Sequence, residues 1–182
     1  MNQKEKVLDS AVSVTAALGA KGLTHRAVDA HAGLPTGSTS NHFRTRRQLV
    51  EAVVARLLEL DALRLTALAR APHESLGAFA SAFIVETLNV AGESVAARVA
   101  LLSDPDAGSL RSARDRLLEL GAGSPLLAEL PQTTLRMVLN FVDGTLQDAT
   151  LYGATINPAD LTAAVDGILG AARMAHPSAA RP

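Results

Sequence analysis

At 182 residues, with 48% hydrophobic and 19% charged side chains, the chain has the apolar content to close one compact core or two modest ones and lacks the polarity of a disordered protein. The absence of cysteine excludes disulfides, thiolate metal sites and a cysteine nucleophile together. The net charge of −1 hides an asymmetry. Residues 1–47 hold Lys4, Lys6, Lys21, Arg26, Arg44, Arg46 and Arg47 against Glu5, Asp9 and Asp29, a net of +4 that leaves −5 on the remainder. A basic head on an acidic body points to a polyanionic partner, although ordinary solvated surface charge would give the same count. The longest uncharged apolar stretch in the middle of the chain runs from Ser75 to Val85 between Glu74 and Glu86, well short of the roughly 20 residues a bilayer span requires. The polar start, Met1 to Lys6, has no apolar block of a secretory signal, so a cytoplasmic protein without membrane contact is expected.

Almost every segment between breakers has helical apolar spacing, and none alternates with the period of two that a half-buried strand needs, so an all-α fold is expected. A first helix starting near Asn2 sets Val7, Ala11, Val14 and Leu18 on one stripe, widened by Leu8 and Val12, and stops at Gly19 and Gly22. Thr24 is a good N-cap for a second, short helix that must end at Gly33. After Leu34 and Pro35 comes another short segment, Thr36 to His42, and then Thr45 with Gln48 forms a capping box opening a long helix. Its stripe runs through Leu49, Val53, Leu57, Leu60 and Leu63 or Leu65 to about Ala69. Breakers at Pro72, Asp104-Pro105, Gly121 to Pro125, Pro131 and Gly153 to Pro158 divide the rest into helices at about 75–90, 93–103, 108–120, 132–152 and 158–174, with a frayed tail over 176–182. Three parts are expected: a basic head at 1–47, a helical body at 48–175, and the tail.

Two short helices around a glycine turn, set between longer helices, are the layout of a helix-turn-helix, whose second short helix enters the major groove. Thr36, Ser38, Thr39, Ser40, Asn41 and His42 offer hydroxyl and amide groups with almost no apolar bulk, a run that suits phosphates and base edges but is a poor helix former. It needs packing from elsewhere, for which Val28, Leu34 and Phe43 are the expected supports.

The stretch Gly22-Leu23-Thr24-His25-Arg26-Ala27-Val28, then Ala32 through Phe43 and Arg46-x-x-Leu49, resembles the DNA-binding region of the TetR family of bacterial transcriptional regulators, over about residues 5–55. The resemblance implies that Arg26, Thr36, Gly37 and Asn41 lie nearest the base edges and that Thr24, Ser38, Ser40, His42 and Arg46 lie along the phosphates. Gly37 suits such a place because a missing side chain allows close approach to the groove. Arg26 suits a bidentate contact to guanine. The chain departs from the family pattern at three positions. Ser40 stands where Tyr is usual. Pro35 replaces the common Ser that caps the recognition helix. Asp29 takes the place of a small apolar residue, which points to a local rotation that exposes its carboxylate.

In the body, Leu135, Val138, Leu139, Val142, Leu146 and Ala149 form one stripe, with Met137 and Phe141 on a second face. The final helix sets Leu161, Val165, Ile168, Leu169 and Ala172 beside Gly167, Gly170 and Ala171. Helices that are apolar on one face and small on another pack closely on two sides, which together with the resemblance favours a homodimer through the last two helices. A plain intramolecular core is the alternative. Phe79, Phe83, Val99, Leu102, Met137 and Phe141 are candidates to line an apolar cavity for a small-molecule effector, with Arg98, Asn140 and Asp143 to orient it, although such a stripe also serves as core.

The expected function is therefore a DNA-binding regulator, a repressor released from a palindromic double-stranded operator by a small molecule, with neither cofactor nor metal. The alternative is a dimeric helical module that binds a ligand or protein and no longer recognises an operator. Catalysis is not expected, because His25, His31, His42, His73 and His176 are scattered and no nucleophile, metal or phosphate-loop spacing accompanies them.

Overall fold

The computed structural model describes residues 2–110, 112, 115–116, 119 and 130–175, and among them there are helices and no strand. Helix α1 (Gln3–Gly22) starts on a reciprocal cap: Asn2 Oδ1 accepts from the Glu5 amide and the Glu5 carboxylate accepts from the Asn2 amide, both at 2.9 Å. Gly19, at φ 71°, kinks its last turn, and Leu18, expected on the buried stripe, is instead 61% exposed. It lies over that kinked turn, where a Cβ on Gly22 would fall 2.3 Å from its own Cβ.

Helix α2 (His25–His31) is capped by Thr24 Oγ1, which accepts from the Ala27 amide at 3.2 Å, and Gly33 turns the chain at φ 61°. Helix α3 (Ser38–His42) follows, then α4 (Arg46–Leu68), whose start carries the expected Thr45–Gln48 exchange: the Gln48 amide donates to Thr45 Oγ1 and Gln48 Oε1 accepts from the Thr45 and Arg44 amides. The two helices expected at 75–90 and 93–103 run end to end as α5 (Leu76–Leu101), which breaks between them at Ala91, where φ is a non-helical −144°. A 3-10 turn covers Pro105–Ala107, and α6 (Gln132–Tyr152) and α7 (Pro158–Ala175) match the expected spans. Most of the helix expected at 108–120 and all of the tail lie outside the described residues.

The chain forms two compact units, each drawn from two stretches of the sequence. The first comprises Met1–Ala62 with Ala91–Asp115, the second Leu63–Val90 with Arg116–Pro182. The reason is packing. Val7, Ala11, Leu23, Val28, Phe43, Leu49, Val53 and Leu57 share one buried core with Ala97, Leu101 and Ala107, so the first part of α4 and the second part of α5 belong with the three N-terminal helices. In the second unit the buried stripe Leu135, Val138, Val142 and Leu146 of α6 packs with α7, which buries Leu161, Val165 and Leu169. There the Asp166 carboxylate accepts from Ser75 Oγ at 2.9 Å and the Gly77 amide at 3.1 Å, fastening the start of α5 to α7. Gly77 permits that approach: a Cβ would sit 2.4 Å from the Thr162 carbonyl oxygen. No helix among the described residues is long and apolar enough to cross a membrane.

Candidate nucleic-acid interface

An isolated five-residue helix of Ser, Thr, Ser, Asn and His does not persist in water, because nucleation is costly and these residues compete for their own backbone. In this chain α3 is held from below. Val28 and Phe43 are buried in the first unit's core with Leu34 packed against it, and His25 Nε2 bonds the Phe43 carbonyl at 2.6 Å, tying the end of α3 to the start of α2. Lys4 adds a cation over the Phe43 ring, 5.9 Å from its centroid. The supports expected from the sequence are thus the residues that do the supporting.

The start of α3 overturns one expectation. Asp29 is not rotated outward: it is 3% exposed, and its carboxylate accepts from the Gly37 amide (2.8 Å), the Thr39 amide (2.7 Å) and Thr39 Oγ1 (2.6 Å). Burial pushes its carboxyl upward, but the hydrogen bonds from Thr39 and Gly37, with a smaller contribution from His25, outweigh burial and hold it below its ordinary value. A carboxylate thus replaces a small apolar neighbour because Thr39, itself fully buried, supplies it with partners.

Support from below leaves a polar face outward. Thr24, Arg26, Thr36, Ser40, Asn41 and His42 are exposed, and Gly37 is half-buried at φ 97°. Ser40 keeps a local bond, its hydroxyl donating to the Gly37 carbonyl at 3.0 Å. Two residues assigned to the phosphates by resemblance are placed otherwise. Ser38 is buried and its hydroxyl donates to the Pro35 carbonyl at 2.7 Å. Arg46 turns inward: Nη1 donates to Asp104 (3.2 Å) and Asp106 (2.8 Å), and Nη2 to Asp104 and to the Ala20 carbonyl (2.8 Å). Its guanidinium fork is spent in clasping the start of α4 to the end of α1 and to the turn after α5. The Asp104 carboxyl is correspondingly lowered, first by the hydrogen bond from Arg46.

Arg44 is the cation that the sequence reading passed over. It is exposed, it lies two residues beyond α3, and among the described residues it has no carboxylate partner, as is also true of Arg26. Arg47 is exposed as well but pairs with Glu51 one turn along α4, at 2.8 Å. In the sequence Arg44 is marked by the charge count alone, because the family motif falls on Arg46.

The residues expected to line an effector cavity do not share one unit. Phe79, Phe83, Met137, Asn140 and Phe141 belong to the second, Arg98 and Leu102 to the first. Arg98 is taken by an ion pair with the buried Asp61, and Leu102 is 58% exposed. Phe79, Phe83 and Phe141 are half-buried, whereas Met137 and Asn140 face outward.

No protein-family model and no curated protein matches the sequence. Solved structures do. A TetR-family member from Streptomyces coelicolor A3 is 26% identical at a TM-score of 0.76, over 92% of this chain and 98% of that one. The multidrug-binding protein EbrR, solved with malachite green, is 24% identical at a TM-score of 0.74, over 92% and 98%. NalD, the secondary repressor of the MexAB-OprM multidrug efflux pump in Pseudomonas aeruginosa, shares the fold at 12% identity and a TM-score of 0.62, over 92% and 93%. The likeness extends through the helical body as well as the N-terminal helices.

Proposed function

We propose, from the premise that this chain is a TetR-like transcriptional regulator, that it is a repressor whose dimer sets two copies of α3 into successive major grooves of a palindromic operator and is released by a small, largely apolar molecule. The observation that carries the proposal is the exposed polar face of α3, with Asn41 and His42 outward and Thr39 fixed inward. Thr36, Gly37, Asn41 and Arg26 are assigned to base edges, and Thr24, Ser40, His42 and Arg44 to phosphates. Ser38 and Arg46 are assigned to holding the motif together.

Dimerisation is supported by what α6 and α7 leave uncovered. Met137, Leu151, Tyr152 and Met174 are more than half exposed, and Gly167 and Gly170 open onto free space, so both helices keep a face that another helix pair can approach closely. An effector acts by binding one spacing of the two recognition helices more tightly than the other, and the similarity to the multidrug-binding protein EbrR, solved with imidazole and with malachite green, supports a small molecule in that role. Phe79, Phe83 and Phe141 are the residues retained for it.

Selection of bound fragments from genomic DNA by the full chain, followed by a screen for compounds that release them, tests the proposal. A recovered palindrome with half-sites about one helical turn apart, released by a compound, is the expected result. Recovery of no sequence above background would leave a ligand-binding module in its place.

A further inference from the structure

The beginning of α3 has no cap of its own. Pro35 has no N–H and no side-chain acceptor, and Gly37, the residue before the helix, makes no side-chain cap. The two serines nearest the start turn their hydroxyls to carbonyls, Ser38 to Pro35 and Ser40 to Gly37. The Ser38 amide donates to the Pro35 carbonyl, and Asp29 reaches across the turn from α2 to accept from the amide of Gly37, just before the helix, and from the amide and hydroxyl of Thr39, both of which go to its Oδ1.

We infer that Asp29 is a positioning residue for DNA recognition: by capping α3 from the preceding helix, it fixes the register of the recognition helix before DNA arrives. This rests on α3 being the DNA-reading element. The Asp29 carboxylate is buried beneath the exposed face and fully engaged by Gly37 and Thr39, so its role is not that of a contact residue. Its effect is preorganisation. A helix already ordered in the free protein does not have to be ordered at the cost of binding, so removing the cap lowers affinity without removing a contact from the complex. A phosphate contact behaves differently, since its loss also flattens the dependence of affinity on salt.

The test uses the full chain and a duplex fragment from the DNA flanking its own gene, titrated at several salt concentrations. Asp29→Ala is expected to weaken binding about tenfold, the scale of a lost N-cap, with the salt slope unchanged. Adding Pro35→Ser, which puts a hydroxyl acceptor ahead of the helix, is expected to restore most of the loss. Asp29→Asn keeps the volume and one acceptor oxygen, and should lie between; it replaces the alanine variant should that one fail to fold. Binding by Asp29→Ala within twofold of the parent, a flattened slope, or no recovery with Pro35→Ser overturns the inference. Failure of the unaltered chain to bind the fragment is a different outcome, and it overturns the DNA-binding reading on which the inference stands.

Discussion

In the first unit charged and polar groups are turned inward and tied together, with Leu18 and Leu102 its exposed large apolar side chains among the described residues, whereas the second unit packs mainly apolar stripes and leaves more of them outside. The Asp29 cap, the Arg46 clasp and the Asp61–Arg98 pair all lie in the first, among core residues that are fully buried. In the second, the Asp166 anchor stands out beside the α6–α7 stripes, and Tyr152 and Met174 are each 79% exposed. In the first unit the apolar support of Val28, Leu34 and Phe43 keeps the short, intrinsically poor helix α3 folded, and directional bonds such as those of Asp29 add a fixed register. The open apolar faces of the second unit suit the pairing with a second copy proposed above.

The contrast can be broken by substitution. The largest effect belongs to the charge pair: Asp61→Ala strands Arg98 and is expected to cost about 3 kcal/mol of stability, read from the denaturant midpoint. Asp61 and Arg98 replaced together by Leu and Met should recover much of that loss. Next is Gly77→Ala, in which the new Cβ drives against the Thr162 carbonyl and the Asp166 carboxylate, expected to cost about 2 kcal/mol in overpacking. Arg46→Met leaves Asp104 buried and unpaired, and because the arginine is itself partly solvated a loss of about 1–2 kcal/mol is expected. The smallest effect on stability is that of Tyr152→Ser, within about 0.5 kcal/mol, with a weaker dimer as its visible consequence in sedimentation.

Acid sharpens the same contrast. Asp29 and Asp104 both have carboxyls lowered from the ordinary 3.8, so the unfolded chain takes up their protons first. Their contribution to stability is complete above about pH 4 and is lost as pH falls from there through the lowered folded values. Denaturant midpoints measured down that range should fall, and Asp29→Asn should reduce the slope.

Features set by neighbours in the chain were legible in the sequence: the Asn2, Thr24 and Thr45 caps, the Gly33 turn, the stripes of α6, and the spans of α6 and α7. Features set by partners far along the chain were not. Arg46 looks outward by its motif position and is turned inward by Asp104 and Asp106, nearly 60 residues away. Asp29 looks like an intruder until Thr39 is brought beside it. Helical periodicity marks Leu102 and Met137 as apolar positions without saying which face water meets, and both are more than half exposed.

The central claim, that the α3 face reads DNA while Arg46 supports it from within, is tested most directly by the salt dependence of binding to an operator fragment. The account predicts that Arg44→Ala lowers the slope of log K against log salt by about 1, that Arg26→Ala relaxes base preference, and that Arg46→Ala lowers stability while leaving the slope in place. A slope that falls for Arg46→Ala and not for Arg44→Ala, or binding indifferent to both Arg26 and Arg44, would contradict it.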